Sequence, residues 1–280
     1  MSVREKVLHG LTRSDSVRAM YSSSLRVPGL GPAVRSVVHK LLPRGIKLWI
    51  EIPSGLARGL WMRVDPRFEP GYLNGDHEPW LQELLRAHLK PGDCFYDVGA
   101  HTGFFSMIAA RLVGEAGQVV AVEADPENAG ALRGNVARNE MRQIQLVEAA
   151  VWSEEGELVF EQASRDSNRT QGHVSVTEPS SAGNVRVRAC TLDTLVFDSQ
   201  LRRPNLVKMD VEGAEWEAFQ GARRTFEEAK PKLLCEIHDP ARMGDFEVFL
   251  AGFGYATERL APVHPHYSDY RQEYLWAVSR

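Results

Sequence analysis

The sequence predicts an α/β domain built on a mostly parallel sheet with helices on both faces. From about residue 80 onward, short and continuously apolar segments alternate with segments of helical periodicity. Strands that are apolar throughout are buried on both faces, which is typical of parallel sheets flanked by helices. Of the 280 residues, 43% are hydrophobic and 25% are charged. Such a composition supports a sizeable core.

The chain ahead of this domain is predicted to form an N-terminal extension over residues 1–72, with the domain itself spanning 73–280. A capping-box pattern that begins at Ser2 marks a first helix. Apolar residues at helical spacing over 34–42 indicate a second, amphipathic helix. Short apolar runs broken by proline and glycine over 46–64 predict a β-hairpin.

The domain is predicted to begin with a helix around residues 80–89, after which strands and helices alternate. The predicted strands are 94–98, 118–123, 144–151, 205–209 and 232–237. The predicted helices are 104–113, 126–139, 214–225 and 246–253. A polar, serine-containing segment over 162–184 is too long for an ordinary connection, and it is predicted to be a mobile loop or lid.

Charge and cysteine content narrow the class of protein. The 33 basic and 37 acidic side chains give a formal net charge of −4. The three cysteines lack the spacing of a zinc site, which predicts buried reduced thiols and a cytoplasmic protein. No segment has the roughly 18 apolar residues of a transmembrane helix. The first 50 residues are basic, which indicates either an arm for an anionic partner or, more commonly, a solvated helical face.

A glycine-containing turn follows the first strand of the domain, where an α/β sheet binds its ligand. It reads Asp97-Val98-Gly99-Ala100-His101-Thr102-Gly103. The two glycines let the backbone turn sharply and let a ligand approach it, while Asp97 can organise the turn or accept a hydrogen bond from a ligand amine. The spacing lacks the middle glycine of the dinucleotide motif, which disfavours NAD.

An acidic residue, Glu123, ends the second strand about 20 residues beyond this turn, where a carboxylate reaches the hydroxyls of a ribose. A solvated strand end is the alternative interpretation of Glu123. Asp125 and Pro126 then supply an N-cap and a first helical residue. The glycine turn is followed by an acidic residue that can bind a ribose, but it lacks the spacing of a pyrophosphate-binding loop. This combination favours S-adenosylmethionine over NAD.

Acidic residues also crowd the carboxyl end of the fourth strand, at Asp210, Glu212 and Glu215. Ligands sit at this edge of a parallel sheet, so Asp210 is placed to face a cofactor, a substrate hydroxyl or a metal. Glu215 is equally explained as a helix-start residue. Alternation along the fifth strand would bring Glu236 and His238 near Asp210. His238 is therefore a candidate general base, and these residues are candidate ligands of a divalent cation; a histidine with a structural role is the alternative.

Taken together, these segments resemble the FkbM-type S-adenosylmethionine-dependent methyltransferases. The resemblance is carried by residues 92–93, 95–106, 122–126, 207–215 and 234–238, of which 207–215 is the most specific. It extends over roughly 73–253 and leaves the basic arm and the C-terminal tail unassigned. His101 stands where relatives often have asparagine.

The resemblance implies a Rossmann-like class I methyltransferase domain of seven strands, the last antiparallel, with a final hairpin at 255–260 and 273–278. It implies a cofactor site made of Asp97, Gly99, Ala100, His101, Gly103, Glu123, Ala149, Ala150 and Asp210. It places Asp210 and His238 near the reacting group, and Glu212 and Glu236 toward the substrate. The implied reaction is the attack of a substrate oxygen on the methyl carbon of the cofactor.

The expected acceptor is a hydroxyl group on a small molecule, such as a secondary metabolite or a sugar or glycan, and this expectation comes from the resemblance. A divalent cation is compatible with the sequence but not required by it. An RNA methyltransferase is one alternative, which the basic arm supports and the acidic remainder opposes. A non-catalytic cofactor-binding scaffold is another. Substrate choice is expected to lie with the arm, the 162–184 loop and the tail at 261–271.

Overall fold

The computed structural model of the protein describes residues 47–64, 70–161, 173–175, 184–262 and 273–279. The two predicted N-terminal helices lie outside these residues. Most of the predicted loop at 162–184 and most of the tail at 261–271 lie outside them as well.

The described elements follow the alternating order that the sequence predicts. The strands are β1 (Leu48–Glu51), β2 (Trp61–Val64), β3 (Cys94–Val98), β4 (Gln118–Glu123), β5 (Ile144–Glu148), β6 (Ala150–Val151), β7 (Gly156–Glu161), β8 (His173–Ser175), β9 (Asn184–Cys190), β10 (Leu206–Met209), β11 (Lys232–Glu236), β12 (Tyr255–Leu260) and β13 (Tyr274–Ser279). The α-helices are α1 (Pro70–Asn74), α2 (Pro79–His88), α3 (Phe104–Val113), α4 (Pro126–Arg138), α5 (Glu215–Gln220) and α6 (Met243–Ala251). Single π-helical turns lie at Thr194–Asp198 and Thr225–Ala229, and a 3-10 turn lies at Pro240–Arg242.

Seven strands form the central sheet, in the order β12-β13-β11-β10-β3-β4-β5. Strands β3, β4, β5, β10 and β11 run parallel to one another, and β13 runs antiparallel to both of its neighbours. From β3 the chain adds β4 and β5 on one side, and it then returns to add β10 on the other side of β3. Sheets of this kind bind their ligands at this reversal of strand order. This topology confirms the predicted Rossmann-like class I fold.

Alternate residues of the buried strands enter two hydrophobic cores, one on each face of the sheet. On β3, the Phe95 side chain packs into the core that contains α3 and the hairpin β1–β2. The next residue, Tyr96, packs into the opposite core together with Phe219 and Phe246. Since both faces are covered, both sets of alternating positions must be apolar, and the strands therefore read as continuous apolar runs.

The predicted hairpin β1–β2 is present and packs against α4. Leu48 of the hairpin is buried in the first core. The Arg63 main-chain N–H donates to Asn135 Oδ1 at 2.9 Å, and Asn135 Nδ2 donates to the Thr102 carbonyl at 2.8 Å. Asn135 thus connects the hairpin to the glycine turn. The boundary between the N-terminal extension and the domain, near residue 72, stays a prediction. The hairpin and the domain share one hydrophobic core.

The structure corrects two of the predicted elements. The predicted strand 144–151 is broken at Ala149, where the chain leaves the central sheet and continues as β6. The predicted helix 214–225 ends at Gln220. A separate turn begins at Thr225, where the carboxylate of Asp193 accepts hydrogen bonds from the N–H groups of Arg224 and Thr225.

A second sheet, in the order β6-β9-β7-β8, was not predicted. Strand β8 lies inside the segment predicted to be a loop. Strands β7 and β9 carry many exposed or half-buried residues, so their sequences lack the continuous apolar character that marks the central strands. Their antiparallel pairing joins residues 156–161 to 184–189, and that pairing is set by contacts that no local pattern reveals.

The three cysteines are buried free thiols, as predicted from their apolar surroundings. Burial raises the pKa of the Cys190 thiol to about 11, so this thiol stays protonated at neutral pH. None of the helices in the described part of the chain is long and apolar enough to cross a lipid bilayer. The compartment in which the protein acts stays a prediction.

Candidate functional site

A pocket opens at the carboxyl ends of β3, β4 and β10. Seven of the residues predicted for the site line it, namely Gly99, His101, Glu123, Ala149, Ala150, Asp210 and Glu212. The lining does not include the other predicted residues, which are Asp97, Ala100, Gly103, Glu236 and His238. The predicted residues therefore fall into two groups: those that form the pocket wall, and those that support the wall or lie beside it.

The glycine turn closes tightly onto the end of β10. Gly99 has a φ of +76°, and a Cβ at this position would lie 1.7 Å from the main-chain oxygen of Asp210. The N–H groups of Gly99 and Ala100 both donate to the Val122 carbonyl at 3.0 Å. Gly103 has a φ of +88° and is the N-cap residue of α3. The close approach of two backbones explains why glycine occupies position 99.

Glu123 holds the glycine turn from the end of β4. Its Oε2 accepts a hydrogen bond from the His101 N–H at 2.7 Å, and its Oε1 accepts one from the Asp125 N–H at 2.8 Å. Burial raises the pKa of Glu123 to about 7, although both N–H donors act to lower it. Asp125 is the predicted N-cap, since its side chain accepts from the Glu127 N–H. The carboxylate of Glu123 is thus oriented by backbone donors at the pocket wall.

Lys208 is a residue of this site that sequence reasoning missed. Its Nζ lies 3.2 Å from Asp210 Oδ2 and 3.6 Å from Asp97 Oδ1, and it donates to the Gly99 carbonyl at 3.3 Å. Burial alone would lower the pKa of Lys208, but the two carboxylates raise it above its ordinary value. The ammonium is therefore charged, and it connects Asp210, Asp97 and the Gly99 carbonyl. A lysine inside an otherwise apolar strand was the available signal, because lysine is rarely buried unless it is paired.

His238 lies among four acidic side chains. Its Nδ1 is 2.7 Å from Glu215 Oε1, and its Nε2 is 3.3 Å from Glu212 Oε2. The same Nε2 lies 3.8 Å from both Asp210 Oδ1 and Glu236 Oε1. The predicted proximity of Asp210, Glu236 and His238 is therefore present.

The charge of His238 does not support the predicted role of a general base. Burial by itself would lower the pKa of His238, but the hydrogen bonds with Glu212 and Glu215 and the charge of Asp210 raise it to about 11. At neutral pH the ring already carries both of its protons. A doubly protonated imidazole donates hydrogen bonds and cannot accept a proton.

Glu236, a predicted substrate contact, is buried and lies outside the pocket lining. Its Oε2 accepts a hydrogen bond from the Tyr274 hydroxyl at 2.9 Å, and the same hydroxyl lies 3.2 Å from Glu78 Oε2. Burial, followed by the charge of Asp210, raises the pKa of Glu236 to about 8. Glu236 is therefore largely protonated at neutral pH.

The predicted ligands of a divalent cation are adjacent to one another. Asp210, Glu236 and His238 each offer one atom, and these atoms lie within 4.8 Å of one another. A cation bound there would have to displace the protons of Glu236 and His238, because only the deprotonated groups act as ligands.

Comparison with known proteins identifies a family and several relatives. Residues 97–257 match the family model of the methyltransferase FkbM domain. A hexuronic acid methyltransferase, AglP of Haloferax volcanii, is 26% identical over 208 residues, which cover 74% of this chain and 81% of that protein. Ribosomal protein L11 methyltransferase of Pelotomaculum thermopropionicum is 45% identical over 56 residues, only 20% of this chain and 18% of that protein.

Among solved structures, a methyltransferase FkbM of Methylobacillus flagellatus superimposes with a TM-score of 0.48 at 16% identity, covering 75% of this chain and 53% of that one. The family match is the broader finding, since it spans more than half of this chain. It begins at the end of β3 and runs into β12, so it includes the glycine turn, Glu123 and the charged cluster at 208–238. The chain therefore belongs to the FkbM methyltransferase family.

Proposed function

We propose that the protein transfers a methyl group from S-adenosylmethionine to a hydroxyl group of a sugar or a related small molecule. Membership in a methyltransferase family supports the reaction class and the predicted cofactor. The observation that carries the proposal is the pocket in which Glu123 and Asp210 face one space beside the glycine turn. The similarity to a hexuronic acid methyltransferase supports a sugar as the acceptor.

The pocket suits a nucleoside that carries an amino acid. Glu123 offers a carboxylate for the ribose hydroxyls, and Ala124, Ala149 and Ala150 offer a small apolar surface for the adenine. On the opposite wall, Asp210 Oδ1 is buried and has no hydrogen-bond partner among the described residues. An unsatisfied buried carboxylate oxygen is costly. We assign this oxygen to a donor group of the bound cofactor or acceptor.

In the proposed reaction the protein has two tasks. It aligns the acceptor with the methyl group, and it removes the proton of the acceptor hydroxyl. When bound, S-adenosylmethionine supplies an electrophilic methyl group on a positively charged sulfur. Holding the acceptor in line contributes on the order of 7–11 kcal/mol in ideal cases, and a positioned base contributes a factor of about 10²–10⁴. Asp210 is our candidate base, because Lys208 binds its Oδ2, whereas its Oδ1 has no hydrogen-bond partner among the described residues and lies 3.8 Å from His238 Nε2. His238, in its protonated form, would hold the carboxylates of Glu212 and Glu215 in place beside the pocket.

We expect Asp210→Asn to lower kcat by a factor of about 10²–10⁴, because an amide cannot accept the hydroxyl proton. The dissociation constant for S-adenosylmethionine should change less than kcat does. Asp239→Asn is the matched control, since Asp239 lies at the same edge of the sheet but is exposed and only caps a 3-10 turn. An Asp210→Asn variant with the kcat of the wild type would exclude Asp210 as the base.

The acceptor class is tested by supplying S-adenosylmethionine with an isotope-labelled methyl group. We would offer the protein neutral hexosides, hexuronic acids and an unstructured RNA in parallel, with and without EDTA. Label in a saccharide hydroxyl, confirmed by mass spectrometry, is the expected result. Label in RNA alone would contradict the proposal.

We expect the affinity for S-adenosylmethionine to rise as the pH increases through about 7, the pKa to which burial raises Glu123. Only the ionised carboxylate accepts hydrogen bonds with both oxygens. Ribose hydroxyls bound to it favour that form, so binding below this pH should release a proton. Calorimetric titrations in buffers of different ionisation enthalpy measure the release. It should disappear in Glu123→Gln, and an affinity of the wild type that does not depend on pH would argue against ribose binding by Glu123.

A further inference from the structure

His101 holds its ring at the pocket wall from a constrained backbone position. Its φ is +50°, in the left-handed region, where side chains with a Cβ are disfavoured. The main-chain N–H of this residue is bound by Glu123 at 2.7 Å, and the residue lines the pocket. The turn therefore fixes where the imidazole lies.

Two hydroxyl groups approach the same ring nitrogen of His101. The Tyr72 hydroxyl lies 3.3 Å from Nδ1, and the Thr102 hydroxyl lies 3.4 Å from it. Tyr72 belongs to α1, and its ring stacks on Phe104 with centroids 5.0 Å apart and meets His77 edge-on at 4.4 Å. The position of the Tyr72 hydroxyl is thus set by packing.

The ring of His101 is neutral at physiological pH. Burial, and next the positive charge of Lys47, lower the pKa of His101 to about 4, against the opposing effect of Asp210. A neutral imidazole has one nitrogen that donates and one that accepts. The hydroxyls beside Nδ1 can donate to it when Nδ1 is the acceptor, and they can accept from it when Nδ1 carries the proton.

The second nitrogen, Nε2, has different surroundings. Within the described part of the chain it has no hydrogen-bond partner, and it belongs to a side chain that lines the pocket. The wall of that pocket also carries the carboxylates of Asp210 and Glu212. A nitrogen lone pair pointed at these charges is unfavourable, whereas an N–H group is favourable. The carboxylates therefore favour a proton on Nε2, which leaves Nδ1 to accept a hydrogen bond from the hydroxyls.

We propose that Tyr72 is a positioning residue that fixes His101 in the Nε2–H tautomer, so that the ring presents a hydrogen-bond donor to an oxygen atom of bound S-adenosylmethionine. Tyr72 lies ahead of the segment that matches the family, 97–257, and this assignment makes α1 part of the cofactor site. The identity of the ligand rests on the proposed function, whereas the tautomer of the free protein does not.

Tyr72→Phe tests the proposal, because phenylalanine keeps the stacked ring and removes only the hydroxyl. Long-range proton–nitrogen NMR correlations of histidine-labelled protein should show His101 as the Nε2–H tautomer in the wild type and as a mixture of tautomers in Tyr72→Phe. Calorimetric titration should show an affinity for S-adenosylmethionine lower by about threefold to tenfold, the range expected for one hydrogen bond. In a His101→Phe background, the same Tyr72 substitution should have no further effect on affinity.

Tyr255→Phe is the matched control, since the Tyr255 hydroxyl donates to the Pro231 carbonyl at 2.9 Å, outside the pocket lining. This variant should keep both the tautomer and the affinity. An Nδ1–H tautomer in the wild type, or a Tyr72→Phe variant with unchanged tautomer and affinity, would overturn the proposal. Because the NMR measurement needs no ligand, a wild-type protein that does not bind S-adenosylmethionine would reject the proposed function, and the tautomer would still decide the role of Tyr72.

Discussion

Replacing Lys208 with methionine is expected to destabilise the protein by about 3–5 kcal/mol, the usual consequence of removing one partner from a buried ion pair. The Lys208 Nζ lies between Asp97 and Asp210 and is almost completely buried. Methionine has a similar shape, so little packing is lost and the main effect is electrostatic. Without the ammonium, the buried carboxylate of Asp97 must become protonated or remain an uncompensated charge.

Equilibrium denaturation of the two proteins measures this difference in the free energy of unfolding. Lys232→Met is the matched control, because Lys232 lies on the adjacent strand β11, is only partly buried, and has its Nζ 3.3 Å from His88 Nδ1. It should cost less than about 1 kcal/mol, as surface substitutions do. Equal losses in the two variants would show that Lys208 is not the electrostatic centre of the site. We also expect Lys208→Met to weaken cofactor binding, since the Gly99 carbonyl and Asp210 lose their common donor.

The second large effect is expected from Gly99→Ala. A misplacement of about 1 Å costs roughly a hundredfold in catalytic rate, and we expect the affinity for S-adenosylmethionine to fall on the same scale. The added Cβ would lie 1.7 Å from the Asp210 main-chain oxygen. Neither backbone segment can yield by a rotamer change, so the glycine turn or the end of β10 must move.

Gly92→Ala provides a control for backbone strain alone. Gly92 has a φ of +90°, but a Cβ there would meet no heavy atom within 4 Å. Both variants should lose stability through the left-handed conformation, at a cost of about 1–2 kcal/mol, and only Gly99→Ala should lose affinity. Calorimetric titration and thermal denaturation of the same samples separate the two effects. Similar affinities in both variants would contradict the packing of the turn described above.

Much of the fold could be predicted because its strands are buried on both faces. The expected strands 94–98 and 118–123 and the helix 104–113 have the predicted bounds in the structure. The final hairpin, implied by the family resemblance, agrees to within one residue. The second sheet escaped prediction because its half-exposed strands carry no continuous apolar signal, and because the break at Ala149 depends on pairing with β9.

The part of the site that is formed by the ends of the strands could be predicted from the sequence. Parallel strands bring their carboxyl ends to one edge, so the proximity of Glu123 and Asp210 to the glycine turn followed from element order. The charge of His238 could not be predicted from element order, because it depends on acidic side chains that come from separate loops and strands. Tyr72 was equally hidden, since its contact with His101 joins residues 29 positions apart through α1, which no pattern had predicted.

Binding of S-adenosylmethionine at the pocket beside Glu123 is best tested by calorimetric titration of the wild-type protein and of Glu123→Gln with S-adenosylmethionine and, separately, with NAD. We expect saturable binding of S-adenosylmethionine at one site per chain, weaker binding by Glu123→Gln, and no binding of NAD by either protein. A folded wild-type protein that fails to bind S-adenosylmethionine, or a Glu123→Gln variant with undiminished affinity, would contradict this expectation.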